Sequence, residues 1–313
     1  MTSADEQYRS GLGLLANAPT AADWRGGIEL VDSAADAGLA DAIERRALFE
    51  CMGVGRPRDW QKAIDSLALA AERGCASAAS QIILLAEDRY EAEPSAIDWA
   101  ALRSRISIIE RLRAPASQTI SASPLIRTVR GLASPAECQW LIESASPRLE
   151  RAIVYNNATG ESGADPGRTN QFALFNFANL DVIAEMVRTR LAAAIGAPLP
   201  CLEVSQVLRY SVGEAFAPHW DYLDPEMLGG EIGQRGQRVV TVLVYLNDDF
   251  EGGETNFPEL GISHRGRAGD ALLFSNVDAQ GKPDLRTKHA GCPPTSGEKW
   301  LFSQWVRDRI PAA

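Results

Sequence analysis

Residues 209–221 read RYSVGEAFAPHWD and end in His219 and Asp221, two polar residues separated by one position. On a β-strand, residues i and i+2 point to the same face. The imidazole and the carboxylate are therefore predicted to project together from one strand. His289 follows 70 residues after His219, in the sequence KHAG. The chain has only 3 histidines, so a site that used two of them would take most of its imidazoles.

Two imidazoles and one carboxylate form the ligand set of non-haem Fe(II) oxygenases, a set that leaves coordination positions open on the metal. Taken alone, a His-x-Asp pair is a weak signal, and structural histidines are the alternative interpretation. The surrounding sequence favours the metal site. Lys299 lies ten residues after His289, on the second of two strands predicted around a Pro/Ser/Gly turn. A cation at this position would compensate a carboxylate that a ligand brings into the interior.

The composition is typical of a folded protein with more acidic than basic residues. Hydrophobic residues make up 45% of the 313 residues, and the formal net charge is -10. Nucleic-acid binders usually carry a basic surface, so we expect no nucleic-acid partner. The 5 cysteines are scattered and form no Cys-x-x-Cys pair, unlike a disulfide framework or a structural zinc site. Because neither a signal peptide nor a long apolar run is apparent, we expect a cytoplasmic protein without membrane contact.

The first third of the chain is rich in alanine and contains a repeat with a period of 36 residues. Residues 23–42 and 59–78 share eight identical positions, and Asp98 begins a third, more divergent copy. Such periods are typical of stacked helix pairs. Gly38 and Gly74 are predicted to adopt the left-handed conformation that ends a helix. The pattern resembles Sel1-like repeats, which are related to tetratricopeptide repeats. The repeats would form either a structural cap or a surface that binds a protein partner.

The chain changes character at residues 114–124, a short stretch of small and polar residues bounded by proline. We interpret residues 116–124 as a linker between domains at 1–115 and 125–313. A capping box at Ser134 predicts one helix, and a second helix is expected to end at Gly196. From residue 201, short β-branched and aromatic runs between glycines and prolines predict a sandwich or barrel. The predicted fold class is α+β, with an α-helical repeat domain before a sheet domain that helices support.

Six motifs of the second domain resemble those of prolyl 4-hydroxylases in the 2-oxoglutarate-dependent dioxygenase superfamily. In chain order they are R-Y-x-x-G-E-x-F-x-P-H-x-D, R-x-x-T-x-L-x-Y-L-N, G-G-E-T-x-F, G-D-A-L-L-F, H-A-G-C-P and G-E-K-W. The resemblance covers about residues 125–307. It implies a double-stranded β-helix, or jelly roll, that holds Fe(II) between its sheets. It also implies consumption of 2-oxoglutarate and O2, release of succinate and CO2, hydroxylation of a substrate C–H bond, and ascorbate as a reductant.

The resemblance assigns roles to individual residues. Three residues match the catalytic iron ligands, namely His219, Asp221 and His289. Lys299 matches the lysine that pairs with the distal carboxylate of 2-oxoglutarate, and Tyr210 and Thr241 match positions that donate hydrogen bonds to the same carboxylate.

For the substrate, the family analogy implies the proline of a peptide or protein partner. Phe216 stands where prolyl hydroxylases of the family commonly carry tyrosine, so a hydroxyl that would contact the substrate is missing. Residues 155–175 resemble the substrate-covering loop of the family, in which an arginine meets the peptide. Arg168, Phe216 and Trp305 are therefore the candidate substrate-binding residues. Two alternatives remain open: hydroxylation of a free amino acid or small metabolite, and a non-catalytic scaffold that binds proteins through its repeats.

Overall fold

The structure is a computed structural model that describes residues 2–17, 20–87, 97–152, 154–156, 161–163 and 167–310. By their contacts, the described residues form two compact units. The first unit takes residues from 1–113 and 176–187, and the second takes residues from 114–175 and 188–313.

The first unit is helical. Its helices before residue 114 are α1 (Ala4–Asn17), α2 (Ala21–Asp36), α3 (Ala40–Met52), α4 (Trp60–Glu72), α5 (Ala76–Glu87), α6 (Trp99–Arg105) and α7 (Ile108–Leu112). The repeated glycines adopt the predicted conformation, with φ of 89° at Gly38 and 92° at Gly74. In both copies the N–H of the next residue donates to a carbonyl in the helix, that of Ala34 and that of Ala70. The repeat therefore encodes the same helix-ending turn twice.

One later segment completes the first unit. The Phe177 ring stacks on the Phe49 ring with centroids 5.7 Å apart, and it tilts against Trp24 at 4.8 Å. Arg45 donates hydrogen bonds to the carbonyls of Phe177 and Ala178, both at 3.1 Å. The sequence assigned residues 176–187 to the second domain, and this part of the prediction is wrong. Arg45 and Phe177 lie 132 positions apart, so no local pattern indicates their contact.

The remaining elements follow residue 114. The helices are α8 (Pro135–Ala145), α9 (Val182–Ile195) and α10 (Pro225–Arg235). The strands are β1 (Ser117–Ala122), β2 (Leu125–Val129), β3 (Glu150–Arg151), β4 (Val154–Asn156), β5 (Glu161–Gly163), β6 (Gln171–Phe175), β7 (Ser205–Tyr210), β8 (Phe216–His219), β9 (Arg238–Tyr245), β10 (Glu251–Gly252), β11 (Thr255–Phe257), β12 (Ile262–His264), β13 (Ala271–Ser275), β14 (His289–Gly291), β15 (Pro294–Ser296) and β16 (Lys299–Arg307). None of the described helices combines the length and the apolar character needed to cross a membrane.

Two antiparallel sheets form the body of the second unit. The large sheet has eight strands in the order β1-β2-β13-β9-β16-β7-β6-β3, and the small sheet has four in the order β12-β11-β14-β8. The core contains side chains of both sheets, among them Leu208, Tyr245 and Phe257. Strands β10 and β15 form one additional pair, and β4 and β5 another. This arrangement is the jelly roll that the resemblance implies, and it confirms the α+β fold class.

Two local predictions need correction. The predicted linker contains β1, which pairs with β2 at the edge of the large sheet. The side chains of β1 are mostly exposed, so backbone hydrogen bonds hold this strand without the apolar alternation that would reveal it. Helix α10 was also missed, because it lies in the region where the sequence predicted only short strands. None of the side chains of α10, all of which the structure describes, is buried, and its apolar periodicity is correspondingly weak.

Candidate active site

Neighbouring strands of the small sheet hold the two histidines of the predicted site. Strands β8 and β14 pair so that His219 lies opposite His289, and the ring centroids are 4.4 Å apart. His219 Nδ1 lies 2.8 Å from the carbonyl of Ala217, and His289 Nδ1 lies 3.0 Å from that of Thr287. Because each carbonyl accepts the N–H of Nδ1, each Nε2 keeps its lone pair for a metal. Burial lowers the pKa of His289 to about 4, so this ring is neutral at pH 7.

Asp221 follows β8 and completes the cluster. Its Oδ1 lies 3.5 Å from His219 Nε2, and its Oδ2 lies 3.4 Å from His289 Nε2. One ligand atom from each of the three residues lies within 4.8 Å of the other two. Burial by itself would raise the pKa of the Asp221 carboxyl, but the two histidines and the Thr241 hydroxyl hold it well below its usual range. Two imidazole nitrogens and one ionised carboxylate are a donor set that fits Fe(II).

Phe216 and Arg168 stack beside His219. The Phe216 ring lies nearly parallel to the His219 ring, with centroids 3.5 Å apart and an interplanar angle of 12°. The Arg168 guanidinium lies 4.7 Å from the centroid of Phe216, and its Nε donates to Asn170 Oδ1 at 3.2 Å. Two of the three candidate substrate-binding residues are thus next to His219, a candidate metal ligand. Of the predicted covering loop at 155–175, residues 157–160 and 164–166 lie outside the described residues.

A cavity opens beside the metal cluster. All three cluster residues line it, together with inward-facing side chains of the large sheet: Gln206, Leu208 and Tyr210 on β7, and Lys299, Leu301, Ser303 and Trp305 on β16. Cross-strand pairing puts Lys299 opposite Tyr210, Leu301 opposite Leu208 and Ser303 opposite Gln206. Because alternate residues of a strand share a face, the cavity has a cationic end, an apolar middle and a polar end.

Lys299 and Tyr210 form the cationic end. The Lys299 side chain is 0% exposed, and Nζ lies 5.1 Å from the Tyr210 ring centroid and 5.8 Å from that of Tyr245. Among the described residues, Nζ has no hydrogen-bond partner. Burial lowers the pKa of Lys299 to about 8 and raises the pKa of Tyr210 to about 12. A buried ammonium is costly until an anion joins it, so this end fits a ligand that carries a carboxylate.

The threonine near the cationic end is not the predicted one. Thr241 Oγ1 donates to Asp221 Oδ2 at 2.7 Å and accepts from Asn276 Nδ2 at 2.9 Å. Its hydroxyl is thus engaged with Asp221, and Thr241 is not among the described residues that line the cavity, so its predicted contact with the cosubstrate stays a prediction. Thr255 lines the cavity instead, and its hydroxyl lies 3.0 Å from the hydroxyl of Tyr245. The G-G-E-T-x-F motif could have predicted Thr255, since it places a threonine shortly after a glycine turn.

The polar end contains the third candidate substrate-binding residue. Trp305 lines the cavity, and the Arg238 guanidinium lies 3.7 Å from the centroid of its ring. Gln206 and Ser303, which sequence reasoning missed, join it there. The available signal was their strand register, because Ser303 is four residues from Lys299 and faces the same side of β16.

Comparisons with known proteins agree with this geometry. The profile of the 2OG-Fe(II) oxygenase superfamily matches residues 205–307. Prolyl 4-hydroxylase 1 of Arabidopsis thaliana is 34% identical over 206 residues, which cover 61% of this chain and 72% of that protein. The chain belongs to the prolyl 4-hydroxylase family. As such it is a 2-oxoglutarate-dependent dioxygenase that uses Fe(II) and O2.

Two further similarities concern the same family. Prolyl 4-hydroxylase subunit alpha-1 of Rattus norvegicus is 32% identical over 189 residues, which cover 59% of this chain and 35% of that subunit. Among solved structures, the 2OG complex of viral collagen prolyl hydroxylase vCPH from Paramecium Bursaria Chlorella virus-1 is 24% identical, with a TM-score of 0.43. That similarity covers 58% of this chain and 95% of the viral chain.

Proposed function

We propose that this prolyl 4-hydroxylase family member hydroxylates a prolyl residue of a peptide or protein, with release of succinate and CO2. The observation that carries the proposal is one cavity lined by both the three-residue metal cluster and the buried ammonium of Lys299. The metal and the anionic cosubstrate that the reaction needs thus have fitting groups in the same space. The family relationship supports a prolyl substrate, since the relatives described above, 34% and 32% identical, carry the name prolyl 4-hydroxylase.

We call the part of the cavity that the three cluster residues line its metal end, and each of these residues has one role there. We assign His219, Asp221 and His289 as the iron ligands, and bound Fe(II) supplies open coordination positions for 2-oxoglutarate and O2. Burial keeps the His289 ring neutral at pH 7, and Asp221 brings one negative charge. His289 and Asp221 therefore need to release no proton when the metal binds at pH 7.

The cationic end, which we also call the cosubstrate end, recognises the cosubstrate. Lys299 pairs with the distal carboxylate of 2-oxoglutarate, and the hydroxyls of Tyr210 and Thr255 complete the recognition. Tyr210 remains a neutral donor, because its raised pKa keeps the phenol protonated. The apolar middle, formed by Leu208, Leu301 and Leu243, suits the two methylene groups of the cosubstrate.

Substrate binding is assigned to the polar end and its rim. Arg168 and Phe216 stack next to His219, so a peptide in contact with them lies beside the metal. Trp305, Gln206 and Ser303 offer an aromatic surface and neutral polar groups on the other wall. A peptide backbone offers matching carbonyl and amide groups to these side chains.

The other two hypotheses explain less. A scaffold that binds proteins through its repeats would leave the metal cluster and the buried charge of Lys299 without a role. Hydroxylation of a free amino acid is chemically equivalent at the iron, but the family relationship favours a residue within a peptide.

The role of the helical unit is also part of the proposal. We propose that residues 1–115 contain a Sel1-like module that recruits a protein substrate; the matching turns at Gly38 and Gly74 support the repeat itself. A cytoplasmic location is supported by five free cysteine thiols, which are typical of a reducing compartment. Ascorbate as a reductant of the iron belongs to the same set of expectations.

The test uses the full chain with Fe(II), 2-oxoglutarate, a proline-rich peptide and a matched peptide in which alanine replaces each proline. We expect mass spectrometry to find one added oxygen atom per succinate released, located on a prolyl residue of the first peptide alone. Oxygen added to free proline but not to the peptide would contradict the peptidyl substrate. Failure to bind either iron or 2-oxoglutarate would leave only the scaffold.

A further inference from the structure

Asp221 is the metal ligand that no described strand holds. His219 lies in β8 and His289 lies in β14, whereas Asp221 follows the end of β8. A chain of side chains holds it instead, because Thr241 Oγ1 donates to Asp221 Oδ2 and Asn276 Nδ2 donates to Thr241 Oγ1. We propose that Asn276 is a positioning residue for the metal, which acts through Thr241 to fix the carboxylate of Asp221.

The direction of this hydrogen-bond chain follows from proton counting. A threonine hydroxyl has one proton to donate and lone pairs to accept with. When the amide of Asn276 donates to Thr241, the single hydroxyl proton remains for Asp221. If the amide were reversed, its oxygen would compete for that proton, and the Thr241 oxygen would face an ionised carboxylate without a proton between them. The charge of Asp221 therefore selects the orientation in which Asn276 donates.

All three residues of this hydrogen-bond chain are buried. Asp221 is 6% exposed, Thr241 is 1% exposed and Asn276 is 0% exposed. In such surroundings a hydrogen bond is stronger than in water, and bonds in a chain polarise one another. A lost donor is also costly to replace, because water has little access.

Both supporting residues are anchored to the large sheet. Thr241 lies on β9, opposite Phe274 of β13 and Trp305 of β16. Asn276 directly follows β13, where its N–H donates to the Val239 carbonyl at 2.9 Å and its carbonyl accepts from Asp284 N at 3.1 Å. The chain of hydrogen bonds therefore ties a ligand in a loop to two central strands. With Oδ2 fixed by Thr241, the orientation of Oδ1 is fixed as well.

This inference concerns metal affinity and rests on the Fe(II) site, not on the identity of the substrate. Its test therefore measures metal binding by the full chain without any peptide, using the ligand-field absorption bands of Co(II) under anaerobic conditions. A protein that binds Co(II) normally but leaves proline peptides unchanged would contradict the proposed function alone.

The variants are Thr241→Val, Asn276→Ala and the double variant. Thr241→Val is expected to weaken Co(II) binding by about 10- to 100-fold, the usual effect of removing a partner of a metal ligand. Asn276→Ala is expected to weaken it by about threefold to tenfold, as for the loss of one neutral hydrogen bond. Because Asn276 acts only through Thr241, the double variant should bind as weakly as Thr241→Val and no more weakly.

Two control variants separate positioning from general damage. Thr241→Ser keeps the hydroxyl and should retain an affinity close to that of the wild type. Ser275→Ala removes a neighbouring hydrogen bond, from Ser275 Oγ to the Val277 carbonyl at 2.7 Å, and should leave Co(II) binding unchanged. Unchanged affinity in Asn276→Ala, or effects of Asn276→Ala and Thr241→Val that simply add, would overturn the proposal. If Asn276→Ala does not fold, Asn276→Ser replaces it, and the same two outcomes decide.

Discussion

The two ends of the active-site cavity are built in opposite ways. At the metal end, the ligands already have partners for their second polar atoms, since both Nδ1 atoms lie against carbonyls and Asp221 Oδ2 accepts from Thr241. At the cosubstrate end, Lys299 Nζ lacks a hydrogen-bond partner among the residues that the structure describes. The protein thus organises the metal end in advance, whereas the cosubstrate itself completes the other end. A carboxylate that reaches Lys299 relieves the cost of the buried charge, which strengthens its binding.

The largest effect is expected at the metal end. His289→Ala removes a ligand, and succinate release should fall by about a thousandfold or more, because a catalytic metal contributes several kcal/mol to the barrier reduction. His264→Ala is the matched control, since His264 does not line the cavity among the described residues. The substitution keeps the backbone carbonyl that accepts from the Tyr245 hydroxyl and removes only the edge-on ring contact with Tyr245. Similar losses of succinate release in the two variants would contradict the prediction, because they would indicate a loss of stability and not the loss of a metal ligand.

Lys299→Ala should affect only the cosubstrate end. We expect 2-oxoglutarate affinity to fall by about a hundredfold, the range for loss of a hydrogen bond to a charged group, while Co(II) affinity stays constant. Titration of each ligand measures the two affinities separately. Lys288→Ala is the control, because Lys288 lies over the Trp220 ring at 4.5 Å and does not line the cavity among the described residues. A parallel loss of Co(II) affinity would mean that the two ends are not independent.

The affinity for 2-oxoglutarate should also depend on pH. Burial lowers the pKa of Lys299 to about 8, so the free enzyme carries the ammonium below pH 8 and the neutral amine above it. The bound dianion favours the ammonium, so binding takes up a proton above pH 8, and affinity should fall by up to about tenfold per pH unit there. Calorimetric titration between pH 6.5 and 9.5 measures this slope.

Lys299→Arg provides the control for the pH dependence. A guanidinium stays charged throughout this range, so the variant should show a flat profile whatever its absolute affinity. An equally steep profile in Lys299→Arg would assign the pH dependence to another group.

The smallest effects are expected in the helical unit. Substitutions there should change the free energy of unfolding but not the affinity for Co(II) or for 2-oxoglutarate. Gly74 has φ of 92° with no described atom within 4 Å of an added Cβ, so Gly74→Ala should cost about 1–2 kcal/mol through backbone strain alone. Gly13 lies inside α1 and also has open space, so Gly13→Ala should instead stabilise by up to about 1 kcal/mol. Denaturant unfolding measures both changes, and destabilisation of equal size in both variants would contradict the conformational argument.

Spacing along the sequence predicted which polar residues of the site lie close together. His219 and Asp221 were predicted to project together from one strand; their side chains do meet, but β8 ends at His219 and Asp221 follows it. Lys299 was expected to reach the same interior, and it lines the cavity. Both statements depend on spacing within short segments. Thr241 shows the limit of that reasoning, because a motif match supplies a residue type but not the partner of its hydroxyl. Only the folded chain shows that Asp221 takes the hydrogen bond of Thr241 and that Thr255 lines the cavity.

The features that sequence reasoning missed depend on contacts between distant segments. Asn276 follows a strand, where a lone asparagine is typical of a turn, and its contact with Thr241 spans 35 positions. The packing of Phe177 with the helical unit spans a longer separation still, as does its contact with Arg45. Edge strand β1 escaped prediction for another reason, since its exposed side chains carry no apolar pattern.

The most direct test of the contrast between the two ends compares 2-oxoglutarate with 2-oxopentanoate, which has a methyl group in place of the distal carboxylate. Binding of each is measured with Fe(II) under anaerobic conditions, for the wild type and for Lys299→Ala. We predict that the wild type prefers 2-oxoglutarate by about a hundredfold and that the variant binds the two compounds almost equally. A preference that survives in Lys299→Ala would contradict the account.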